Sequence, residues 1–291
     1  VAVGRTVPRV PAATAVRIGL RAGAALAVLA APSSAQQFAL PPRPADAPPG
    51  STIVAALEHL PRQEREERLL AEYLRGNLPA WLRTLVPVTV ERRLRVRTFT
   101  FTFHVTPYYL AVGSDDDWFL TPLSPGVAQR IADVTGTSLP TPVMVDAIWR
   151  AATATLGPDS IAPSAAMITI PVFADHQRMV RARRNADPAP LGALTAGHKK
   201  DVVITARLDT LRGRVAIYGW HKPDGRPIQP LYTGHGATYA DYSHGIRLVD
   251  RRVEIDGVAH DLLALRRDPV LASLLSGEGS LRTARYDSAE P

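Results

Sequence analysis

The sequence predicts an α+β fold, with N-terminal helices and a β-hairpin followed by a mainly antiparallel sheet in the C-terminal half. Apolar residues at helical spacing, and Ser-Pro or Thr-Pro pairs that start helices, concentrate before residue 190. After residue 200, short stretches of period-two alternation follow one another between turn-forming residues. Hydrophobic residues make up 46% of the 291 positions, which is enough to build a core.

The composition excludes several classes of protein. The apolar content excludes a disordered chain, and the near-neutral mean hydropathy excludes a multispanning membrane protein. Because the chain contains no cysteine, a disulfide framework, a thiolate nucleophile and a Cys-type zinc site are also excluded. The remaining class is a globular protein of one or two domains.

Residues 1–35 have the pattern of a signal peptide. Arginines without any acidic residue precede an apolar run over 22–31, and the small residues Ser33 and Ala35 follow. This run is about half of the length that a bilayer-spanning helix needs, so we expect cleavage near Ala35 and no permanent membrane anchor. The pattern predicts a periplasmic or secreted protein. Without the leader arginines the net charge is small, so no nucleic-acid partner is expected.

The remaining chain is expected to start with a Pro-rich linker over 36–50, followed by a single α+β domain over 51–276. A division of this domain into two subdomains near residue 190 stays open. The stretch over 57–74 has helical spacing, and Gly76 is placed to end it. From Gly277 to the end, a loose tail is expected.

A β-hairpin is indicated between Val88 and His104. The apolar residues change phase near Arg97, so either a bulge lies there or two strands meet. Further elements are predicted in chain order: a partner strand at Tyr108–Val112, helices after Ser124 and Thr141, a strand at Met167–Phe173, a helix at Asp175–Arg184, strands over 201–208, 214–220, 228–232, 245–249 and 252–255, and a short helix from Asp268.

The candidate functional residues concentrate in the C-terminal half. Four of the eight histidines lie at strand ends or beside glycines, where loops carry binding and catalytic groups. The predicted catalytic residues are His198, Asp201, His221, His235, Asp241, Ser243 and His244. The predicted substrate-binding residues are Lys199, Tyr218, Trp220, Tyr239, Tyr242 and Arg247.

Three chemistries fit these residue types. In a metal hydrolase, a divalent ion such as zinc would activate water. The predicted ligands are two or three of His198, His221, His235 and His244, together with Asp201 or Asp241. In a serine hydrolase Ser243 would be the nucleophile, with a histidine other than its neighbour as base. A glycosidase would need two carboxylates, and the candidates are Asp115, Asp116, Asp117, Asp201 and Asp241.

Three strings in this region carry a resemblance: Gly-His-Lys-Lys-Asp-Val-Val (197–203), Ile-Tyr-Gly-Trp-His (217–221) and Tyr-Ala-Asp-Tyr-Ser-His-Gly-Ile-Arg (239–247). They resemble strings of uncharacterised secreted bacterial proteins, and similar strings extend back to Gly76 and Gly113. The resemblance implies a shared secreted fold and no particular reaction.

These observations predict an exported hydrolase that acts on a cell-envelope or extracellular polymer, such as a polysaccharide or peptidoglycan. In the metal-free version of this hypothesis, a histidine acts as general base and Lys199, Lys200 or Arg247 stabilises developing negative charge. The alternative is a non-catalytic carbohydrate- or envelope-binding protein whose tyrosines and Trp220 contact sugar. A structural envelope protein is the third possibility.

Overall fold

The computed structural model describes Val1 and residues 36–288, so the predicted signal peptide and its cleavage site lie outside the described residues. Residues 36–288 belong to one unit by their contacts. None of the helices within the described part of the chain has the length and apolar character needed to cross a bilayer.

Helices are spread along the described residues. The α-helices are α1 (Gly50–Leu57), α2 (Arg62–Leu74), α3 (Pro125–Val134), α4 (Pro142–Ala151), α5 (Ile170–Ala186) and α6 (Leu262–Arg267). Short 3-10 helices lie at Ala80–Leu82, Ala165–Ile168, Ala206–Asp209 and Leu271–Leu274. Pro125 and Pro142 occupy the first helical turns as expected, and the Thr141 hydroxyl caps α4 by accepting from the Met144 amide.

The strands are short, apart from one long hairpin. They are β1 (Val86–Leu94), β2 (Arg97–Val105), β3 (Ala111–Gly113), β4 (Trp118–Leu120), β5 (Thr137–Ser138), β6 (Ala154–Thr155), β7 (Thr195–Ala196), β8 (Lys200–Val202), β9 (Ile217–His221), β10 (Pro227–Tyr232), β11 (His244–Gly245), β12 (Val249–Asp250), β13 (Arg252–Ile255) and β14 (Val258–Asp261). The predicted α+β class is confirmed, and the pairing is mostly antiparallel.

The larger sheet joins the two halves of the chain. Its order is β14-β13-β2-β12-β5, and β1 pairs with β2 from Val86 opposite Val105 to Leu94 opposite Arg97. Two strands therefore meet where the apolar phase changes, and Arg95 takes the left-handed conformation in the turn. Because β2 is the central strand, the C-terminal strands complete a sheet that begins with the N-terminal hairpin.

A second sheet, of order β10-β9-β8-β11, carries five of the predicted functional residues, namely Asp201, Tyr218, Trp220, His221 and His244. The turn at Pro223-Asp224-Gly225 joins β9 to β10, as the sequence predicts. The parallel pairing of β8 with β11 places His244 opposite Lys200 and Gly245 opposite Asp201. Residues distant in sequence thus become neighbours at one edge of this sheet.

The two segments predicted to be loose are packed. In the Pro-rich 36–50 segment, Phe38 is buried and the Arg43 guanidinium donates to the Asn77 side chain and to backbone carbonyls. At the C-terminal end, Leu281 and Tyr286 are buried, and the Tyr286 hydroxyl donates to the Val203 carbonyl. The prolines determine an extended backbone, but extension does not prevent apolar side chains from entering the core.

Several element predictions were wrong. Met167–Phe173 forms a 3-10 turn and the start of α5 rather than a strand, because Pro171 in the first helical turn favours a helix start. In the Tyr108–Val112 segment only Ala111 and Val112 lie in a strand, which pairs with β4 rather than with the hairpin. The predicted 57–74 helix is two helices, separated before Arg62 where Pro61 cannot donate a helical hydrogen bond.

Candidate functional site

The smaller sheet and the loop before β11 position the predicted residues, which fall into several separate groups. β8 contributes Lys200 and Asp201, β9 contributes Tyr218 to His221, and β11 begins at His244. The 233–243 loop returns the chain to the edge of β8, where the Lys200 amide donates to the Ser243 carbonyl over 2.7 Å. The sheet thus forms the support of the site, and this loop provides its surface.

Asp241 is the centre of a group that we call the Asp241 cluster. Its members share proximity to this carboxylate and are Lys200, His235, Tyr239, Asp241, Ser243 and His244. Oδ1 of Asp241 accepts from the Ser243 amide (2.8 Å) and hydroxyl (2.5 Å), and Oδ2 accepts from the Tyr239 hydroxyl (3.1 Å). Three donors therefore hold one buried carboxylate in place.

The charges of the Asp241 cluster follow from burial and neighbours. Burial would raise the pKa of Asp241, but His244, Ser243 and Lys200 together hold it below its ordinary value. Burial lowers the pKa of His244 to about 4 and also lowers the pKa of His235, against the opposing effect of Asp241. At neutral pH the cluster therefore contains a carboxylate and two uncharged imidazoles.

The solvent-facing part of the Asp241 cluster is aromatic and cationic. The rings of His235 and Tyr239 stack with centroids 4.0 Å apart, and Tyr232 meets His235 edge-on at 5.2 Å. The Lys200 ammonium lies 4.8 Å from the centre of the Trp220 ring. Because His235, Tyr239 and Lys200 are only partly buried, this is the face that a ligand can reach.

Asp201 belongs to a separate, sealed group on the same sheet. Its Oδ2 accepts a 2.8 Å hydrogen bond from the Tyr109 hydroxyl, and its Oδ1 lies 3.7 Å from Nε of Arg247. Burial raises the pKa of Asp201 to about 6, although Arg247 and Tyr109 act in the opposite direction. Asp201 is buried among these partners, so its role in the structure is to support the site from below.

Arg247 connects three segments of the chain. Its two terminal nitrogens donate to the Thr106 carbonyl (2.8 Å) and the Thr195 carbonyl (2.6 Å), and its guanidinium lies 4.3 Å from the centre of the Tyr109 ring. The predicted substrate-binding role of Arg247 does not fit this geometry, because the side chain is completely buried and both of its terminal nitrogens donate to backbone carbonyls.

Lys199, which directly precedes β8, is buried. Its ammonium lies 3.1 Å from Nδ1 of His176 and donates to the Tyr242 carbonyl. Burial lowers the pKa of Lys199 to about 7, with Asp241 opposing the shift, and burial together with Lys199 lowers the pKa of His176 to about 2. The hydroxyl of Tyr242 is in turn held by the backbone of Ile161. Neither Lys199 nor Tyr242 therefore forms a ligand-contacting surface.

His198 and His221 lie in two different environments. His198 is buried between the rings of Tyr108 and Tyr109, with centroid distances of 4.7 and 4.9 Å. His221 stacks on Trp149, and its Nε2 lies 3.1 Å from Oδ1 of Asp146 on α4. The Tyr218 hydroxyl donates to the same Asp146 oxygen over 2.9 Å. The contacts of His221 and Tyr218 with Asp146 therefore connect β9 to α4.

The metal site expected from the sequence, with two or three of these histidines and one of Asp201 or Asp241 as ligands, is not formed by the described residues. His235 and His244 share the Asp241 cluster, whereas His198 and His221 lie in the separate environments described above. Within residues 36–288, no three His, Asp or Glu side chains come together in a way that could hold a metal ion. Sequence proximity suggested this set, but strand pairing and the contact of His221 with α4 place its members in separate environments.

The structure also changes the interpretation of Ser243 and of the three consecutive aspartates Asp115, Asp116 and Asp117. The Ser243 hydroxyl is buried and donates to Asp241 rather than to a histidine. Asp115 accepts from the Ala80 amide, and Asp117 accepts from the Ser51 amide (3.0 Å) and hydroxyl (2.6 Å) at the start of α1. These two aspartates therefore stabilise helix starts rather than form a glycosidase pair.

Sequence reasoning missed three residues that shape this region, namely Tyr109, Asp146 and His176. Tyr109 is brought in because the Leu110 amide donates to the Ile246 carbonyl, so its segment runs beside Arg247. Asp146 lies among apolar residues in α4, and a carboxylate on a half-buried helix face is a signal of a buried partner. His176 sits on the buried face of α5, which could have been found from its spacing to Phe173 and Val180.

The fold and the site together define an α+β protein with a His, Lys and Asp cluster at the edge of a small sheet. Comparison of this chain with protein-family models, with curated proteins and with solved structures found no match. The function therefore has to be argued from the site itself.

Proposed function

We propose that the protein is an exported hydrolase that cleaves amide or ester linkages in a cell-envelope or extracellular polymer, with the Asp241 cluster as its active site. The observation that carries this proposal is the partly exposed pair of His235 and Lys200 above the buried Asp241 carboxylate. Export is inferred from the leader-like pattern of residues 1–35.

His235 is assigned the role of general base. Its lowered pKa keeps the imidazole uncharged at neutral pH, which is the form that can accept a proton from water. The ring is held by stacking on Tyr239, and the Tyr239 hydroxyl is held by Asp241. Asp241 and Tyr239 thus act as positioning residues for the base.

Lys200 is assigned the stabilisation of negative charge. Attack of water on a carbonyl develops an oxyanion, and an ammonium group in a partly desolvated position lowers its energy. Lys200 is held against the Trp220 ring, and its backbone amide is tied to Ser243. A fixed ammonium beside an uncharged imidazole therefore favours acyl chemistry.

Glycosidic cleavage fits this cluster less well. It needs a carboxylic acid that remains protonated at neutral pH and a second carboxylate within about 5 to 9 Å. Asp241 is held in its ionised form, and Asp201 is sealed behind Tyr109 and Arg247. Peptide cross-links or ester substituents of an envelope polymer are thus the substrate class proposed.

The test is a turnover screen with the purified protein on peptidoglycan and on acylated polysaccharides, with release of soluble fragments as the readout. His235→Asn keeps a polar side chain without the base and should lower kcat about 10²- to 10⁴-fold. Lys200→Met should lower kcat about 10²-fold. The matched controls His59→Asn and Lys222→Met change exposed residues outside the cluster and should keep wild-type turnover.

A second candidate is a carbohydrate-binding protein, and it is favoured by the stacked His235 and Tyr239 rings with Tyr232 beside them. An aromatic surface of this kind binds sugar faces without chemistry. Polymer binding that is lost in Tyr232→Ala and His235→Ala, with no turnover in the parent protein, would replace the hydrolase by this candidate. Turnover that is unchanged in both His235→Asn and Lys200→Met would refute the proposed site.

A further inference from the structure

β1 is an edge strand of the larger sheet, because among the described strands it pairs with β2 alone. It is nine residues long, whereas strands of globular proteins usually have about five or six residues. An edge strand presents a row of amide and carbonyl groups that can pair with another extended chain. β1 is therefore a candidate interaction surface, separate from the Asp241 cluster.

The direction of these backbone groups follows from the opposite strand. The Thr100 carbonyl accepts from the Asp256 amide over 2.8 Å, and the Thr100 amide donates to the Asp256 carboxylate over 2.8 Å, so both groups of Thr100 point away from β1. Glu91 lies opposite Thr100 in the hairpin. Two opposite residues of an antiparallel pair either exchange both hydrogen bonds or turn both sets outward, so the amide and carbonyl of Glu91 point away from β2. By alternation those of Thr89 and Arg93 also point outward.

Pro87 agrees with this assignment, because it has the same parity as Thr89 and proline is tolerated where a strand needs no ladder donor. Within residues 36–288, no hydrogen bond is made by the amide or carbonyl of Thr89, Glu91 or Arg93. Buried backbone groups are almost always paired. These three residues therefore present a free strand edge to solvent.

Open space lies beside this edge. A hollow of about 440 Å³ separates β1 from α4, and Thr89 and Glu91 are among its lining residues. Their side chains lie on the face of the hairpin away from α4, since it is Val88, on the other face, that packs in the core with Met144 of α4. The edge of β1 therefore borders the hollow, where a further strand could lie about 4.8 Å from β1.

The charges around this edge are mostly positive. Residues 92–97 contain four arginines and no acidic residue, and one of these arginines pairs with an aspartate of the neighbouring turn. Within residues 36–288, no carboxylate lies within ion-pair distance of Arg93 or Arg95. Arg150 of α4 lines the hollow, and Glu91 is the acidic residue of β1. A second copy of this chain would bring the same arginines to the edge, so the charges favour an acidic partner.

We propose that the free edge of β1 binds an extended acidic peptide segment of another protein, which joins the larger sheet as a further strand. The main chain of the segment pairs with the outward groups of Thr89, Glu91 and Arg93. Its side chains alternate between the two faces, so separate carboxylates lie near Arg93 on one face and near Arg150 on the other. This inference concerns a second surface and does not depend on the proposed hydrolase activity.

The test uses an acetylated and amidated synthetic peptide in which three glutamates alternate with four threonines. Hydrogen exchange of single amides in the purified protein, followed by NMR, is the readout. Excess peptide should slow the exchange of the Thr89, Glu91 and Arg93 amides about tenfold, because they become hydrogen-bonded. A peptide with lysine in place of glutamate, and a peptide with proline in place of threonine, should leave these rates unchanged. The proline peptide keeps the negative charge but loses most of its backbone donors.

Variants of β1 separate the backbone requirement from the charge requirement, with the affinity for the labelled peptide measured by fluorescence anisotropy. Thr89→Pro removes an outward amide without breaking the ladder to β2 and should weaken binding about fivefold. Thr89→Val keeps the amide and is the matched control, for which unchanged affinity is expected. Arg93→Glu should weaken binding about tenfold, and Glu91→Gln should strengthen it. These two charge variants test the surface even if Thr89→Pro does not fold.

Three results would overturn the proposal. Unchanged exchange of the three β1 amides in excess peptide would show that the edge does not accept a strand. Equal effects of the threonine and proline peptides, or of the glutamate and lysine peptides, would show that backbone pairing or negative charge is not required. Sedimentation velocity that shows a dimer, with these amides protected in the absence of peptide, would assign the edge to a second copy of the chain.

Discussion

The hydroxyl of Tyr109 donates a 2.8 Å hydrogen bond to Oδ2 of Asp201, and both side chains are buried. Tyr109 precedes β3, whereas Asp201 lies in β8, so this hydrogen bond joins segments that are far apart in the sequence. The guanidinium of Arg247 lies over the same tyrosine ring. The buried side chains of Asp201 and Arg247 are therefore both in contact with one residue, Tyr109.

Replacement of Tyr109 by phenylalanine should destabilise the protein by about 1 to 3 kcal/mol, because Asp201 loses a donor in a place that water does not reach. The measurement is the free energy of unfolding from urea titrations at pH 7. Tyr232→Phe removes a hydroxyl from an exposed ring and is the matched control, for which little change is expected. A destabilisation of equal size in the two variants would contradict this role of Tyr109.

Acidification should destabilise the protein through its buried histidines. The pKa of His244 is lowered to about 4 by burial, so between about pH 6.5 and 4 a proton binds the unfolded chain but not the folded one. Stability therefore falls with pH in this window, by up to about 3 kcal/mol for His244. Urea titrations at pH 7, 6 and 5 should show a smaller fall in His244→Asn than in the parent protein.

The Asp201 carboxyl should change the stability in the opposite direction on acidification, so it serves as a control for the His244 prediction. Because burial raises its pKa to about 6, the folded state binds a proton more readily than the unfolded state, and this group favours folding as the pH falls from 6 towards 3.8. Asp201→Asn removes that contribution, so its stability should fall more steeply on acidification. If Asp201→Asn and His244→Asn both reduce the dependence of stability on pH, the pKa shifts assigned to these two residues are wrong.

Above neutral pH, Lys199 should make the protein more stable. Burial lowers its pKa to about 7, so from pH 7 upward the unfolded chain holds a proton that the folded state has released. The free energy of unfolding should rise by about 3 kcal/mol between pH 7 and 9.5. Lys199→Met should abolish the rise, and Lys222→Met, which changes an exposed lysine, should retain it.

The pH profile of turnover tests the proposed roles of His235 and Lys200. Both pKa values are lowered, chiefly by burial, so activity should rise through a pH below the ordinary 6.5 of histidine and fall through a pH below the ordinary 10.5 of lysine. Lys200→Arg keeps the positive charge and should move only the alkaline limb to higher pH. An unmoved alkaline limb in this variant would remove Lys200 from the mechanism.

Much of the fold could be predicted because local signals agree with tertiary structure. The Ser124-Pro125 and Thr141-Pro142 pairs start α3 and α4, and the phase change near Arg97 marks the hairpin turn. These signals depend on neighbouring residues, which the sequence displays directly. The predictions failed where long-range packing decides, as for Phe38 and Tyr286, whose segments are polar or Pro-rich around buried aromatic rings.

The sequence indicates which candidate residues are neighbours in the chain, but not how the structure groups them. The sequence places His235, Asp241 and His244 close together, and the structure keeps them so. Their separation from His198 and His221 could not be predicted, because it depends on strand pairing and on α4 supplying Asp146. Strand pairing is a long-range property that periodicity does not encode.

Gly245 should be intolerant of a side chain, because it lies where the site and the core meet. A Cβ at this position would lie 2.6 Å from Cδ1 of Tyr109 and 2.7 Å from Cβ of Lys199. Both neighbours are buried, so Gly245→Ala should force β11 to shift. Overpacking of a well-packed core lowers the free energy of unfolding by about 1 to 3 kcal/mol. Gly236→Ala is the matched control, since nothing lies within 4 Å of its added Cβ. Thermal unfolding of the two variants should show a lowered Tm for Gly245→Ala alone, and equal Tm values would show that β11 adjusts freely.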